Sequence, residues 1–185
     1  MILAERMESA TFVACEASPL RHAALRARLA VLGGRVECRL HDAATLAEED
    51  AYDLVLVDAP CSGTGTLGRN PEIRHRLNKE ELVRQAERQK AILQAALQAV
   101  KPDGRVVYST CSLEPDENEQ VVGAVEASLI PMGALLEGMC REGILMEDGA
   151  RELAKCLTEE GALRLMPGTL GTDGFFVAVL ERQRA

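Results

Sequence analysis

The sequence predicts an α/β fold with a mostly parallel sheet that ends in a C-terminal antiparallel hairpin. Two apolar runs, residues 54–57 and 105–108, flank an amphipathic helix over residues 80–100, and this order is typical of a βαβ unit. Residues 162–166 and 175–180 have the pattern of two strands joined by a glycine-containing loop, which favours antiparallel pairing. These observations predict a parallel sheet with helical crossovers.

The first part of the chain adds strand and helix signals in alternation. Residues 1–7 have the apolar spacing of the last turns of a helix, and residues 11–16 and 36–40 are predicted strands. Ser18 followed by Pro19 is a helix-start signal. The helix that it begins has an apolar stripe and should end at a glycine pair; these residues are Leu20, Ala24, Leu25, Leu29, Leu32, Gly33 and Gly34.

The later elements are less regular. Acidic residues at 114–119 fit the first turn of a helix that continues to Leu129, where they would complement the helix dipole. Residues 130–160 contain short helical pieces interrupted by glycines, and no chemistry is predicted there. Cys140 and Cys156 are most simply core thiols.

Composition limits the function classes. With 185 residues, 47% of them hydrophobic, the chain is expected to form one domain, residues 1–185. A net charge of -8 argues against general coating of nucleic acid, because Lys and Arg supply most non-specific affinity for phosphates. Any RNA contact must be local, and Arg69, Arg74, His75 and Arg76 are its candidates. A solvated basic turn is the alternative interpretation of that segment.

The cysteines are expected to be reduced thiols of a cytoplasmic protein. Six occur, without a C-x-x-C pair, a metal-binding framework or a secretory signal. No apolar run is long enough to span a membrane. The sequence therefore predicts neither a metal nor a membrane partner.

Two of these thiols occur at equivalent strand ends. Asp58, Pro60 and Cys61 directly follow the first apolar run of the βαβ unit, and Cys111 follows the second. Parallel strands of a βαβ unit end at the same edge of the sheet, where ligands gather in open α/β folds. Either thiol alone would be read as a buried core residue. Together they predict a reactive pair.

The motifs Asp-Ala-Pro-Cys-Ser-Gly at residues 58–63 and Tyr-Ser-Thr-Cys-Ser-Leu at 108–113 resemble the NOL1/NOP2/Sun (RsmB-like) RNA cytosine-C5 methyltransferases. The resemblance continues through residues 69–74, 114–119 and 172–176. It implies a Rossmann-like class I methyltransferase fold, S-adenosylmethionine as cofactor, and ribosomal or transfer RNA as substrate. DNA cytosine methyltransferases also use a Pro-Cys motif, but with that Cys as the nucleophile and a Gln after it; Ser62 and the Thr-Cys-Ser motif at residues 110–112 favour RNA.

The resemblance also implies roles for individual residues. Cys111 is the expected nucleophile on C6 of cytosine, Cys61 assists release of the product, and Asp58 bonds the N3/N4 edge of the base. The cofactor-binding residues are then Glu16 for the ribose, Asp42 near the adenine, Asp58 and Pro60. Taken alone, Glu16 reads equally as an exposed acid near a helix N-terminus, and Asp42 as a turn former.

The family places a strand and a glycine-rich loop before the first helix, and we find no counterpart of either in this sequence. We therefore expect an N-terminally truncated member that lacks the first strand. The alternative is a non-catalytic remnant without effective cofactor binding. A missing central strand would leave unpaired strand edges, so self-association is a further expectation. A thiol redox or metal protein is a third hypothesis, which the cysteine spacing does not favour.

Overall fold

The computed structural model describes residues 2–182, except for the side chain of Ile2. Met1, which belongs to the first predicted helix, lies outside the described residues. The chain divides into two compact units, residues 1–46 and 47–185, and each contains its own sheet. The prediction of one domain over residues 1–185 stays a prediction.

The first unit contains two parallel strands and two helices: α1 (Ile2–Arg6), β1 (Phe12–Glu16), α2 (Pro19–Leu29) and β2 (Val36–Leu40). These elements match the predicted ones. β1 and β2 pair in parallel with Glu16 opposite Leu40, so both strands end at the same edge. The predicted apolar stripe of α2 is wrong at Leu20, whose side chain is 82% exposed within the first helical turn.

The caps of the first unit explain why its helix begins and ends where it does. The side chain of Ser18 accepts a bond from the backbone N–H of Arg21, and Pro19 occupies the first helical position, where no N–H is needed. A 3₁₀ turn extends α2 to Leu32. Gly33 then adopts a φ of 62°, a left-handed conformation that terminates the helix.

The second unit contains a five-stranded mixed sheet in the order β3-β4-β7-β5, with β6 paired to β7. Its elements are β3 (Tyr52–Asp58), α3 (Ile73–Arg76), α4 (Lys79–Ala99), β4 (Val100–Thr110), α5 (Glu119–Gly123), β5 (Ala127–Ile130), α6 (Met132–Arg141), α7 (Glu147–Ala154), β6 (Leu163–Leu165) and β7 (Phe175–Arg182).

The predicted βαβ unit is confirmed. β3 and β4 are parallel, and Asp58 lies opposite Ser109 at their ends. The crossover helix α4 begins at Asn78, whose side chain accepts a 2.8 Å bond from the N–H of Glu81. The apolar face of this predicted amphipathic helix packs into the core, with Leu93 fully buried. This unit places both cysteine motifs at one edge of the sheet.

The C-terminal hairpin is confirmed as the antiparallel pair β6 and β7, but β7 has a larger part in the sheet than predicted. It also pairs antiparallel with β4 and with β5, so it lies between these two strands. The helix expected to reach Leu129 was wrong: α5 ends at Gly123, and Leu129 lies in β5 opposite Leu180. Pairing with β7 supplies backbone partners for this segment that a local pattern does not indicate.

β3 is less buried than predicted. Val57 is buried, but on the opposite face of the strand Leu54 and Leu56 are 44% and 52% exposed. An apolar run such as residues 54–57 predicts a parallel strand covered on both faces, and this is wrong here, because α4 packs against β3 while the side of Leu54 and Leu56 stays exposed. Self-association through an unpaired strand edge stays a prediction.

Two glycines connect the first cysteine loop to the start of β7. The N–H of Gly65 donates to the carbonyl of Cys111, and the N–H of Gly174 donates to the carbonyl of Gly65, both at 2.9 Å. A Cβ on Gly65 would lie 2.4 Å from the Gly174 carbonyl oxygen and 2.8 Å from that of Cys111. These contacts require glycine, since backbone atoms cannot yield as a flexible side chain can.

We expect Gly65→Ala to lower the free energy of unfolding by about 1–3 kcal/mol or more, because the methyl group overpacks against two backbone carbonyls. Gly68→Ala is the matched control: no heavy atom lies within 4 Å of its Cβ position. We expect the control to stay within about 0.5 kcal/mol of the parent. Urea unfolding of both variants measures the difference, and equal stabilities would contradict the close approach.

Candidate active site

The two cysteine motifs meet at the carboxyl ends of β3 and β4. The Sγ atoms of Cys61 and Cys111 lie 3.3 Å apart, within hydrogen-bond distance for sulfur, although the residues are separated by 50 positions. Backbone pairing continues beyond the strands, since the N–H of Ala59 donates to the carbonyl of Ser109 at 2.9 Å. The structure thus brings together the two thiols that the sequence paired.

The pKa values of the two thiols are shifted in opposite directions. The hydrogen bond from Cys61 lowers the pKa of Cys111 to about 7, against the opposing effects of burial and of the charges of Asp58 and Glu117. The pKa of Cys61 is raised, first by that same bond and then by burial. The two sulfur atoms therefore share one proton when the pair is singly ionised, and the thiolate is favoured on Cys111. A thiolate at neutral pH is the nucleophilic form of cysteine.

Asp58 and Pro60 occupy the same edge as the thiols. Asp58 is the last residue of β3, its side chain is exposed, and its charge acts on Cys111. The carbonyl of Pro60 accepts a 2.8 Å bond from Nε2 of Gln89 on α4. A solvent-facing acid beside a thiolate is an arrangement that can bind a substrate with an amino group.

Glu117 lies beside the cysteine loop and is fully buried. Its Oε1 accepts bonds from the N–H of Ser62 at 2.8 Å and from Nε2 of Gln89 at 3.0 Å, and its Oε2 accepts from the Ser62 hydroxyl. The acids of 114–119 are predicted to complement a helix dipole, which is wrong for Glu117. Glu117 and Gln89 are the site residues that sequence reasoning missed.

The loop that carries Cys111 is fixed by a second group of buried polar side chains. The hydroxyl of Thr110 donates to Oδ1 of Asn118 at 2.6 Å, and Nδ2 of Asn118 donates to the carbonyl of Ser112 at 3.0 Å. Tyr108 donates from its hydroxyl to the carbonyl of Glu117 at 2.6 Å. These bonds connect the end of β4 to the residues that follow it and so fix the turn that carries Cys111.

The predicted cofactor-binding acids lie at the carboxyl ends of β1 and β2 in the first unit. Both carboxylate oxygens of Glu16 bind Arg21, and Oε1 also accepts from the N–H of Ser18 at 2.8 Å. These bonds hold the pKa of Glu16 below its ordinary value, and the bond with Arg21 has the largest effect. Asp42 follows β2, and its Oδ1 accepts from the N–H of Ala44 at 3.1 Å.

The predicted RNA-binding residues flank the cysteine loop in the chain. Arg69 is exposed and forms an ion pair with Asp173, which precedes β7. Arg74 and Arg76 lie exposed on the short helix α3, where Nε of Arg74 donates to the ring of His75 at 3.4 Å. Arg69 therefore has a structural partner, while α3 presents its cations to solvent.

The remaining predictions from the sequence concern cysteines outside the thiol pair, metal ligands and membrane-spanning helices. Cys140 and Cys156 are half-buried; Cys156 packs against the core cluster of Met132, Leu163 and Val179. None of the cysteines forms a disulfide. Within residues 2–182 there is no group of three or more His, Cys, Asp or Glu side chains placed to hold a metal ion. In the same residues no helix combines the length and apolarity needed to cross a membrane.

Comparison with known proteins agrees with this geometry. The model of a family described as 16S rRNA methyltransferase RsmB/F matches residues 1–181. The chain belongs to the RsmB/F family. The resemblance on the two cysteine motifs, the Rossmann-like methyltransferase fold and S-adenosylmethionine as the cofactor of the family are thereby confirmed.

Individual relatives show how much of the family is covered. Ribosomal RNA small subunit methyltransferase F of Aliivibrio salmonicida is 31% identical over 142 residues, 74% of this chain and 27% of the relative. That of Vibrio vulnificus is 36% identical over 133 residues, 72% and 26% of the two chains. The crystal structure of PH0851 has a TM-score of 0.77 at 30% identity and covers 97% of this chain and 39% of that one. The RsmB/F chain described here spans about a quarter of the length of these curated relatives.

In this RsmB/F family member, we expect Cys111 to be alkylated with a midpoint near pH 7, because Cys61 stabilises its thiolate. Cys61→Ala removes the donor and should move the midpoint toward about 8.5, the ordinary value for a cysteine. Iodoacetamide labelling at several pH values, read by mass spectrometry of the Cys111 peptide, checks both. Cys140→Ala is the control. A midpoint that is unchanged in Cys61→Ala would contradict the role of Cys61 in stabilising the Cys111 thiolate.

Proposed function

We propose that this chain forms the catalytic part of an S-adenosylmethionine-dependent cytosine-C5 methyltransferase acting on structured ribosomal or transfer RNA. The observation that carries the proposal is the contact of two thiols at one sheet edge, with Sγ atoms 3.3 Å apart and Cys111 ionised near neutral pH. A cytoplasmic location belongs to the same proposal, because reduced thiols are required. Family membership supports RNA as the substrate class.

The chemistry requires a nucleophile because C5 of cytosine is itself weakly nucleophilic. The Cys111 thiolate adds to C6, which places electron density on C5. S-adenosylmethionine supplies the electrophilic methyl group when it is bound. Once C5 carries that methyl group, its proton passes to solvent water, and the electron pair left behind re-forms the C5–C6 double bond as the C6–S bond breaks and Cys111 leaves as a thiolate.

Cys61 assists the last step as a hydrogen-bond donor. The bond that lowers the pKa of Cys111 also stabilises the thiolate that must leave the product. A thiolate of lower pKa is the better leaving group. Without this donor, addition to C6 would still occur but elimination would slow.

Asp58 and the basic residues are proposed to hold the RNA. The exposed carboxylate of Asp58 can accept from the amino group at the N3/N4 edge of cytosine and so orient the base over Cys111. Arg74 and Arg76 present charge on α3, where phosphates can bind. Arg69 is paired with Asp173, so a phosphate that binds Arg69 would have to share its guanidinium group with Asp173 or replace Asp173 as its partner.

The chemistry of the donor set fits the cofactor. Ribose hydroxyls donate to carboxylates, and Glu16 and Asp42 place carboxylates at the ends of two neighbouring parallel strands. Glu16 is ionised and already oriented by Arg21 and Ser18. We propose that Glu16 binds the ribose and that Asp42 lies near the adenine, and, separately, that Asp58 and Pro60 are further cofactor-binding residues.

We expect Glu16→Gln to weaken S-adenosylmethionine binding roughly tenfold, since hydrogen bonds to a charged acceptor contribute about 1.5–3 kcal/mol. Glu37→Gln is the matched control, because Glu37 is also paired with an arginine, Arg39, in the same unit. Isothermal titration calorimetry of the parent and both variants measures the difference. An equal loss in both variants would contradict the ribose role, and no binding by the parent would favour the non-catalytic alternative.

The two thiols should differ in their covalent RNA adducts. With small-subunit ribosomal RNA and S-adenosylmethionine, we expect Cys111→Ser to abolish both methyl transfer and any adduct, because a hydroxyl is a far weaker nucleophile than a thiolate. Cys61→Ala should instead accumulate an RNA-bound protein band on a denaturing gel, since elimination is slowed. Asp58→Asn should slow adduct formation without trapping it.

The control for these reactions is Cys140→Ala, a half-buried thiol of α6 outside the pair. It should methylate RNA like the parent and leave no adduct. An adduct that persists in Cys111→Ser and vanishes in Cys61→Ala would reverse the roles of the thiols. Label transferred from S-adenosylmethionine to an atom other than C5 of cytosine would contradict the proposed reaction.

A further inference from the structure

Glu117 is connected to both residues that flank Cys61. On one side, the N–H and the hydroxyl of Ser62 both donate to its carboxylate. On the other side, the amide nitrogen of Gln89 donates both to the carbonyl of Pro60 and to Oε1 of Glu117. Cys61 is thus held between two backbone anchors that converge on one buried acid.

The hydroxyl groups around Glu117 extend the same connection to the Cys111 loop. Thr64 accepts from the N–H of Leu113 at 2.9 Å, and Ser112 accepts from the N–H of Glu114 at 3.0 Å. The hydroxyls of Thr64 and Ser112 lie 3.3 Å apart, and those of Ser112 and Ser62 3.1 Å apart. Each hydroxyl can donate to the next only in the direction of the carboxylate, because a carboxylate only accepts.

We propose that Glu117 is a positioning residue for the thiol pair: its carboxylate fixes Ser62, and through Ser62 it keeps the Sγ of Cys61 against the Sγ of Cys111. The inference rests on the proposed roles of the two thiols. Its test measures the ionisation of the thiol pair and not methyl transfer, so the positioning role can be tested independently of the proposed function.

Position and charge have opposite consequences at Cys111, which makes them separable. The ionisable groups that face the pair are Cys61 and Cys111 themselves, Asp58 at the end of β3, Glu117, and Tyr108 beside Cys61. Loss of the negative charge of Glu117 would lower the pKa of Cys111. Loss of the Cys61 hydrogen bond, which has the largest effect on Cys111, would raise it.

We expect Glu117→Gln to raise the midpoint of Cys111 alkylation from about pH 7 toward the ordinary value, because the two donors of Ser62 contact different oxygens of Glu117 and a glutamine keeps only one of them as an acceptor. A shift to 8.5 reduces the thiolate at pH 7 roughly 16-fold; because the more basic thiolate is roughly fivefold more nucleophilic, the alkylation rate at pH 7 should fall about threefold. Asp116→Asn is the matched control, since it removes the same charge one residue away. In Asp116→Asn the midpoint of Cys111 alkylation should stay near that of the parent, and so lie below the midpoint of Glu117→Gln by most of the expected rise.

Ser62→Ala keeps the carboxylate and removes only the hydroxyl, so it tests the proposal even if Glu117→Gln does not fold. Its midpoint should also rise, by less, because the N–H of Ser62 still donates to Glu117. A midpoint that falls in Glu117→Gln, or that is unchanged in a folded Ser62→Ala variant, would overturn the positioning role. A rise in both variants without any methyl transfer by the parent would leave this role standing and overturn the proposed function.

Discussion

The parallel pairing of β3 and β4 is the constraint on which the site depends. Because Asp58 lies opposite Ser109, both strands end at the same level and their loops leave the sheet side by side. A register shift of one residue would turn the side chains of one strand to its opposite face. The bond from Gly65 to the carbonyl of Cys111 then ties the loops together beyond the last ladder pair. The contact between the thiols is a consequence of strand register.

Holding these loops requires burial of an acid. Moving a carboxylate out of water costs several kcal/mol, and Glu117 has no cation among the partners that its carboxylate contacts in the described chain. Hydrogen bonds to a charged group contribute about 1.5–3 kcal/mol each, so the donors of Ser62 and Gln89 together offset a cost of that size. Such a group adds little net stability. Its effect is on geometry, because a misplaced donor would leave the charge unsatisfied.

Features of the fold and the site that follow from local pattern are predictable from the sequence. Strand-end position and parallel order are enough to predict that Cys61 and Cys111 lie together, and the amphipathic pattern of α4 correctly predicts a buried face, as at Leu93. Leu129 was misassigned because its strand exists through pairing with β7, which is distant in sequence. Glu117 was misread because its donors come from residues far along the chain, and an acid after a proline resembles a helix start in isolation.

In the proposed mechanism, the acidity of Cys111 has a larger effect on release than on attack. Lowering a thiol pKa from 8.5 to about 7 raises the thiolate fraction at pH 7 roughly 16-fold, but the intrinsic nucleophilicity falls roughly fivefold, so attack gains only about threefold. The leaving step has no such compensation, since the departing thiolate is stabilised directly. A donor thiol beside the nucleophile therefore contributes most where the covalent bond must break, which is the step that the pairing of Cys61 with Cys111 would accelerate.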